Sequence, residues 1–335
     1  RFYINGLSHY FWMIDDLALV EGSGQEVFDS RVTPLITATS PPLTVLPFGY
    51  AQNFGFNARV KSVTGDSISN TSLLTEIVHE RYLNGIAGLG FVYNQTNLVN
   101  GNGVLAPLDT ALVSTASPWF SPTVTGQYTA QFTATSRQYS QAFSDSTEFV
   151  ISDTTFGRDY DEVSSLTAPY ITGRIGNPIN GDALGVLYHI DSISSPVNFS
   201  SISVFVSNSN GVIGAEIRPV IWEYDSLSNF QNSGVGQRVA SSLSTTILDS
   251  SNVNSWTTFK LDTGIAFRRG SNHGQYIVGW EEISTGPFPT YNSLFAGVDL
   301  RASKLAPRNT AFSKSGQNTN WIPVSVIPMV RLNIQ

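Results

Sequence analysis

Gln127-Tyr128-Thr129-Ala130-Gln131-Phe132-Thr133-Ala134 sets Tyr, Ala, Phe and Ala at every second position, with hydroxyl and amide residues between them. Side chains alternate between two faces along a strand, whereas a helical face recurs about every 3.6 residues, so this stretch reads as a half-buried strand. The same period of two recurs in Ser201-Ile202-Ser203-Val204-Phe205-Val206 and in Thr257-Thr258-Phe259-Lys260-Leu261. Turn-forming clusters such as Val124-Thr125-Gly126 and Asn208-Ser209-Asn210-Gly211 separate such runs. Short alternating strands punctuated this often predict an all-β protein of sandwiches or jelly rolls. Leu73 to Tyr82 is the one stretch with a helical face, made by Leu73, Leu74, Ile77 and Val78. It also alternates, lacks a capping box and sits among strands, so a strand is expected there.

Composition narrows the function. The 335 residues carry 18 Lys+Arg against 25 Asp+Glu, a net charge of −7, which disfavours a nucleic-acid binder. The absence of cysteine excludes a disulfide scaffold, a thiol nucleophile and Cys-ligated metal. Charged residues make up only 13% of the chain, and 42 Ser, 29 Thr and 24 Asn carry the polarity instead. Such an uncharged hydroxyl and amide surface suits an extracellular β-protein. No run of about 18 apolar residues occurs, so no membrane-spanning helix is expected. Arg1 is not an initiator Met; the expectation is a chain processed or cut from a longer one.

Three blocks emerge. Residues 1–24 hold two aromatic-rich strands, Arg1–Asn5 and Tyr10–Val20, around Gly6-Leu7-Ser8-His9. An isolated hairpin is marginal in water, and this one carries too much aromatic surface to remain exposed. It therefore either completes a sheet of its own upstream domain or adds to a sheet of a neighbouring subunit, with Phe11, Trp12 and Ile14 as the contact residues. Residues 25–152 form a second block with a Pro-rich entry (Pro34, Pro41, Pro42, Pro47), and residues 153–335 a third, which ends in an apolar strand. The expected architecture is tandem β-sandwiches, with the N-terminal hairpin completing another sheet.

Tyr10-Phe11-Trp12-Met13-Ile14-Asp15-Asp16-Leu17 resembles the last strand of the MAM-like or galactose-binding-like jelly rolls of large secreted Bacteroidota proteins. The strand Asn53–Val60 and Pro122-Thr123-Val124-Thr125-Gly126-Gln127-Tyr128-Thr129 resemble a CARDB-type immunoglobulin-like module. Phe156-Gly157-Arg158-Asp159, Gly185-Val186-Leu187-Tyr188 and Gly211–Ile217 are similar to the jelly-roll-like sandwich that often follows. Pro328-Met329-Val330-Arg331-Leu332-Asn333 looks like the junction before a type IX secretion sorting domain. The resemblance implies a secreted cell-surface adhesin or filament protein, with other subunits or upstream domains as partners, and no particular activity.

Motifs for catalysis are sparse. The four histidines, His9, His79, His189 and His273, accompany neither a Gly-x-Ser-x-Gly elbow nor a His-Glu-x-x-His motif, and read as strand or turn residues. Glu281-Glu282 and Asp15-Asp16 are adjacent pairs whose members point to opposite strand faces, so neither converges on a glycosidic bond; they read as solvated or strand-end charge. Asp159, Asp161 and Glu162 are the oxygen-rich cluster suited to calcium, though without the EF-hand pattern, and the plainer reading is a polar linker. Trp119 and Trp321 lie near prolines and are the aromatics expected to be exposed, where they would stack on surface glycans. No other cofactor is implied.

Asp-Ser/Thr dipeptides are over-represented. With 71 Ser and Thr among 335 residues, chance puts about three after the 15 Asp, and nine are found. Six continue into Ala, Ile, Leu or Thr and resemble the O-glycosylation sequon of exported Bacteroidota proteins, with Ser67, Thr110, Ser146, Thr154, Ser192 and Ser226 as acceptors. Asp-Ser/Thr also favours exposed turns without any sugar. The sequons at Asn70, Asn94 and Asn198 are expected by chance in so Asn-, Ser- and Thr-rich a chain. Together these readings predict a non-enzymatic extracellular stalk, surface layer or filament component, with a carbohydrate-binding accessory region of a secreted hydrolase as the alternative.

Overall fold

In the computed structural model the described residues are 43–51, 55–62, 67–80, 91–116, 118–137, 143–161, 163–167, 181–190, 198–208, 211–224, 235–266, 274–283, 292, 294–305, 310–314, 316 and 321–335. The hairpin block with Phe11, Trp12 and Ile14, together with Glu162, Ser192, Ser226, His9 and His273, lies outside them.

The first part of the chain supplies β1 (Val45–Pro47), β2 (Asn57–Lys61), β3 (Ser72–His79), β4 (Phe91–Leu98), β5 (Thr110–Ser114), β6 (Gly126–Thr135) and β7 (Phe143–Ser152). Then come β8 (Thr155–Gly157), β9 (Val163–Thr167), β10 (Ala183–His189), β11 (Asn198–Val206), β12 (Glu216–Tyr224), β13 (Val235–Ser241), β14 (Thr246–Ile247) and β15 (Ser255–Ala266). The last elements are β16 (Gln275–Glu282), β17 (Gly297–Asp299), the short helix α1 (Leu300–Leu305), β18 (Ala311–Lys314), β19 (Trp321–Val324), β20 (Ile327–Pro328) and β21 (Val330–Ile334). The protein is thus nearly all β, and the ambiguous Leu73 stretch is strand β3.

Alternation sets the core. In β6 the apolar residues Tyr128, Ala130, Phe132 and Ala134 are buried while the residues between them are not. β6 pairs with β3 and β7 in a register that sets Ile77 beside Ala130 and Phe149 beside Tyr128. The small sheet β2–β5 covers this face with Ala58, Val60, Ala111 and Val113. Phe56, just before β2, reaches across to Phe149 and Phe132, with ring centroids 5.6 and 6.4 Å away. Burying each such ring stabilises the fold by roughly 1.5–3 kcal/mol. Gly126 starts β6 at φ +138, and a Cβ there would meet His79 Nε2 at 2.4 Å; only glycine fits this turn.

The nine-stranded sheet runs β15-β11-β21-β8-β1-β7-β6-β3-β4. Its path crosses the 152/153 boundary through β1, which pairs in parallel with β7 and antiparallel with β8. A second sheet, β13-β12-β16-β10-β18-β19 with β14 on β12, packs over the β11–β21 end. Phe199 meets Tyr276 at 5.5 Å, and the buried Tyr188 hydroxyl donates to the Val330 carbonyl. The outer face of this second sheet is apolar as well: Trp222, Trp321, Ile277 and Phe312 form their own buried cluster. Where β10 and β16 pair through Gly185 and Gly279, a Cβ on Gly279 would come within 1.9 Å of the Leu184 carbonyl oxygen, the close backbone approach that glycine permits in a strand. A three-stranded sheet, β20-β17-β9, completes the fold. Among the described residues no helix is long and apolar enough to cross a membrane.

Candidate functional site

The sequence cluster at Asp159 and Asp161 lies where the sheets meet. Four successive residues after β8 each reach a different element. Arg158 Nε donates to the Leu187 carbonyl on β10 at 2.6 Å. Asp159 accepts from Arg331 on β21 twice, from Nη2 at 2.6 Å and from Nε at 3.1 Å. Tyr160 donates its backbone N–H to Asp299 on β17 at 2.6 Å. Asp161 accepts from the Trp256 indole on β15 at 2.9 Å. Asp161 sits at φ 62, a left-handed conformation that Asp tolerates better than most residues.

The charges are packed accordingly. The Asp159 side chain is 0% exposed and that of Arg331 21%. Arg331 also lies over the Trp256 ring at 4.1 Å and within 3.5 Å of Asp161. Burial raises the Asp159 carboxyl above the usual carboxylate range, and the hydrogen bonds and charge of Arg331 pull it part of the way back. Burial lowers the Arg158 guanidinium to about 10, which leaves it charged at neutral pH. It pushes the Tyr188 phenol well up. Nearby, Arg301 covers the Tyr160 ring at 4.3 Å and approaches Glu148 at 3.7 Å. Beside the junction lies a cleft of about 360 Å³ lined by Gln127, Glu148, Ser152, Tyr160 and Asp161 among others.

These contacts correct several expectations. Asp159 is not linker polarity: it is a buried partner of Arg331. Asp159 and Asp161 do converge, but around a guanidinium, and among the described residues no group of three or more His, Cys, Asp or Glu could hold a metal ion. Glu281 and Glu282 are buried rather than solvated. Glu281 pairs with Arg238 at 2.7 Å, and Glu282 accepts from the Leu294 N–H at 3.0 Å and the Trp280 indole at 3.3 Å. His79, by contrast, is the expected strand residue: it ends β3 fully buried, with Nε2 3.1 Å from the Thr125 carbonyl and its ring edge-on to Tyr128.

Of the two tryptophans expected at the surface, Trp119 is 50% exposed whereas Trp321 is 5% exposed and packs against Trp222 at 4.8 Å. The proline beside Trp321 lies within β19, at the edge of the second sheet, where a missing N–H is tolerated. Trp119 rests on Gly55, where an added Cβ would meet Cζ3 at 2.5 Å. Its segment is pinned to β4: Gln95 exchanges two hydrogen bonds with Ala116, and the Tyr93 hydroxyl donates to the Pro118 carbonyl at 3.3 Å.

The described acceptor hydroxyls, Ser67, Thr110, Ser146 and Thr154, all belong to exposed residues. Ser146 lies inside strand β7 and Thr110 opens β5, so these two are not in turns. In both, the preceding Asp side chain accepts the residue's own N–H at 2.7 Å.

Sequence reasoning did not find Arg158, Asp299 and Arg331 as members of the junction. The available signal was Arg331 itself, a lone charge inside the apolar Val330–Ile334 strand. Such a charge needs a partner, but the sequence does not say which.

No protein-family model matches the chain, and no curated protein matches it. Among solved structures, the chain is similar to one described as a carbohydrate-binding module of the β-sandwich superfamily. That likeness has a TM-score of 0.22 and 11% identity, and covers 87% of this chain and 97% of the other. A two-domain protein of unknown function from Bacteroides fragilis gives a TM-score of 0.21 at 10% identity, covering 90% of this chain and 95% of that one. Likenesses at this level carry no argument about fold or function.

Proposed function

We propose that the protein is a non-enzymatic extracellular scaffold, a structural or adhesive component of a stalk, surface layer or filament. On this reading it is type IX secretion cargo of the Bacteroidota kind, glycosylated at Asp-Ser/Thr. The observation that carries the reading is how the buried carboxylates are used. Among the described residues Asp159, Asp182, Glu281, Glu282 and Asp299 are buried. Asp159 and Glu281 bind arginines, while Asp182, Glu282 and Asp299 accept backbone N–H groups of Gly316, Leu294 and Tyr160. Each thus fastens one segment to another, a tying role that supports the scaffold reading.

The deciding experiment is electron microscopy of the protein at its native surface, with intact-mass spectrometry of the same material. The expected result is an ordered assembly with hexose-type mass increments mapping to Ser67, Thr110, Ser146 or Thr154 peptides. A freely diffusing species that turns over a defined ester, peptide or glycoside substrate overturns the scaffold reading. A bare 36.4 kDa native mass overturns the glycan part alone.

One observation favours a second reading, a carbohydrate-binding accessory region: the half-exposed Trp119, held in place by Gly55 and β4, is a preformed aromatic surface of the type that stacks on sugars. Polysaccharide pull-down that is lost in Trp119→Ala supports it, and equal retention of both proteins removes it.

A further inference from the structure

β1 and β21 flank the short strand β8, with Val45 and Arg331 both opposite Gly157. Each runs antiparallel to β8, so the two point the same way as each other. From the level of Gly157 the chain leaves β1 at Leu43 toward one end of the sheet and leaves β21 at Gln335 toward the other. At about 3.3 Å of rise per residue, these exits lie about 20 Å apart along the strand axis.

We infer that β1 and β21 form a tensile clamp: a pull applied where the chain enters β1 and where it leaves β21 loads them in shear, so that their hydrogen bonds carry the force together. The inference rests on the scaffold reading and names the mechanical work of that scaffold. The bonds under load include Thr44 N–H to the Gly157 carbonyl (2.9 Å), Val150 N–H to the Thr44 carbonyl (2.7 Å), Ile334 N–H to the Thr154 carbonyl (2.9 Å) and Gln335 N–H to the Asn198 carbonyl (3.0 Å). Three of these join antiparallel pairs, where the bonds lie across the strand axis, and the Val150 bond joins the parallel β1–β7 pair, where it is slanted. A pull along the axis strains them together, while a pull across it breaks them one after another. The buried Asp159–Arg331 pair ties β21 to the segment after β8, and the Thr44 hydroxyl ties β1 to the Asp159 carbonyl. β1 also sits between β7 and β8 in the nine-stranded order. While it stays seated, the two halves of that sheet cannot part.

The test is single-molecule pulling of the full chain in two geometries. In the first, one tether is on a cysteine at Pro42→Cys, the residue before Leu43, and the other is at the C-terminal end, which loads β1 and β21 in shear. In the second, one tether stays at the C-terminal end and the other is moved to a cysteine at Phe48→Cys, in a chain that has no cysteine of its own. Phe48 is 42% exposed and follows β1 at the end of the sheet where β21 exits, so this arrangement peels the strands. Forced unfolding reports the unfolding barrier, and a rupture force about twofold or more higher in shear than in peeling, at equal pulling speed, is expected. Equal forces, or a stronger peeling geometry, overturn the clamp and leave the scaffold reading to its own test by imaging of the native assembly.

Discussion

Replacing Arg331 with methionine removes the guanidinium from a carboxylate that has no exposed surface. Asp159 then loses both of its charge-assisted hydrogen bonds, at 2.6 and 3.1 Å. Breaking a buried pair from one side costs about 3–5 kcal/mol, because the remaining charge is left uncompensated. Methionine keeps contact with the Trp256 ring through its thioether, so the lost cation–π contact adds little. With a urea m-value of about 3 kcal/mol/M, the midpoint should fall by about 1 M or more. Urea unfolding followed by tryptophan fluorescence and circular dichroism measures this. The cost should also depend on pH in a defined direction. Burial already raises the folded Asp159 carboxyl, and loss of Arg331 raises it further. The folded variant then holds a proton more tightly than the unfolded chain. Its deficit is therefore full above the raised folded value and shrinks as pH falls from 7 toward the ordinary carboxylate value of about 4. The double variant Asp159→Leu with Arg331→Met, which leaves no charge behind, should recover most of the loss. An Arg331→Met midpoint within about 0.2 M of the parent at pH 7, or a deficit unchanged by acidification, refutes the reasoning.

The other outcomes are simpler to read. Trp321→Ala opens the Trp222 cluster and should cost about 3–5 kcal/mol in denaturant unfolding, whereas the half-exposed Trp119→Ala should cost clearly less. Gly279→Ala forces a Cβ against the Leu184 carbonyl and should lose about 1–3 kcal/mol or more, seen as a lower melting temperature. The Leu243 N–H and the Ser242 hydroxyl hold the Asp262 carboxyl below the usual range. Its contribution to stability is present above the unfolded value and is lost as pH falls through the depressed folded one. Carboxyl-detected NMR titration should place Asp262 below about 3.9, and Ser242→Ala should move it upward without abolishing the shift.

Legibility in the sequence followed the range of the physics. Period-two runs such as Gln127–Ala134 and Ser201–Val206 report their own burial, because the alternation is written in consecutive residues. The Leu73 stretch was ambiguous in its periodicity, and pairing with β4 and β6 makes it a strand. The candidate site was less legible. Asp159 and Asp161 stood out as an oxygen cluster, yet the partner that sets their role, Arg331, lies 172 residues away from Asp159. Trp119 and Trp321 looked alike by their neighbouring prolines, but one is covered by Trp222 from another strand and the other is not.

The amino-acid order by itself determined that the chain folds as strands, that its surface is carried by hydroxyl and amide groups, and that it has no thiol chemistry. These are compositional properties or, for the alternating runs, local ones written in consecutive residues; the Leu73 stretch is the exception that pairing decided. Only the tertiary structure decided that β1 joins the two large blocks in one sheet, that a buried ion pair fastens the C-terminal strand, and that adjacent glutamates are structural ties. Those outcomes depend on residues far apart in sequence being desolvated together, and the free energy of a charge is set by what surrounds it rather than by its neighbours along the chain.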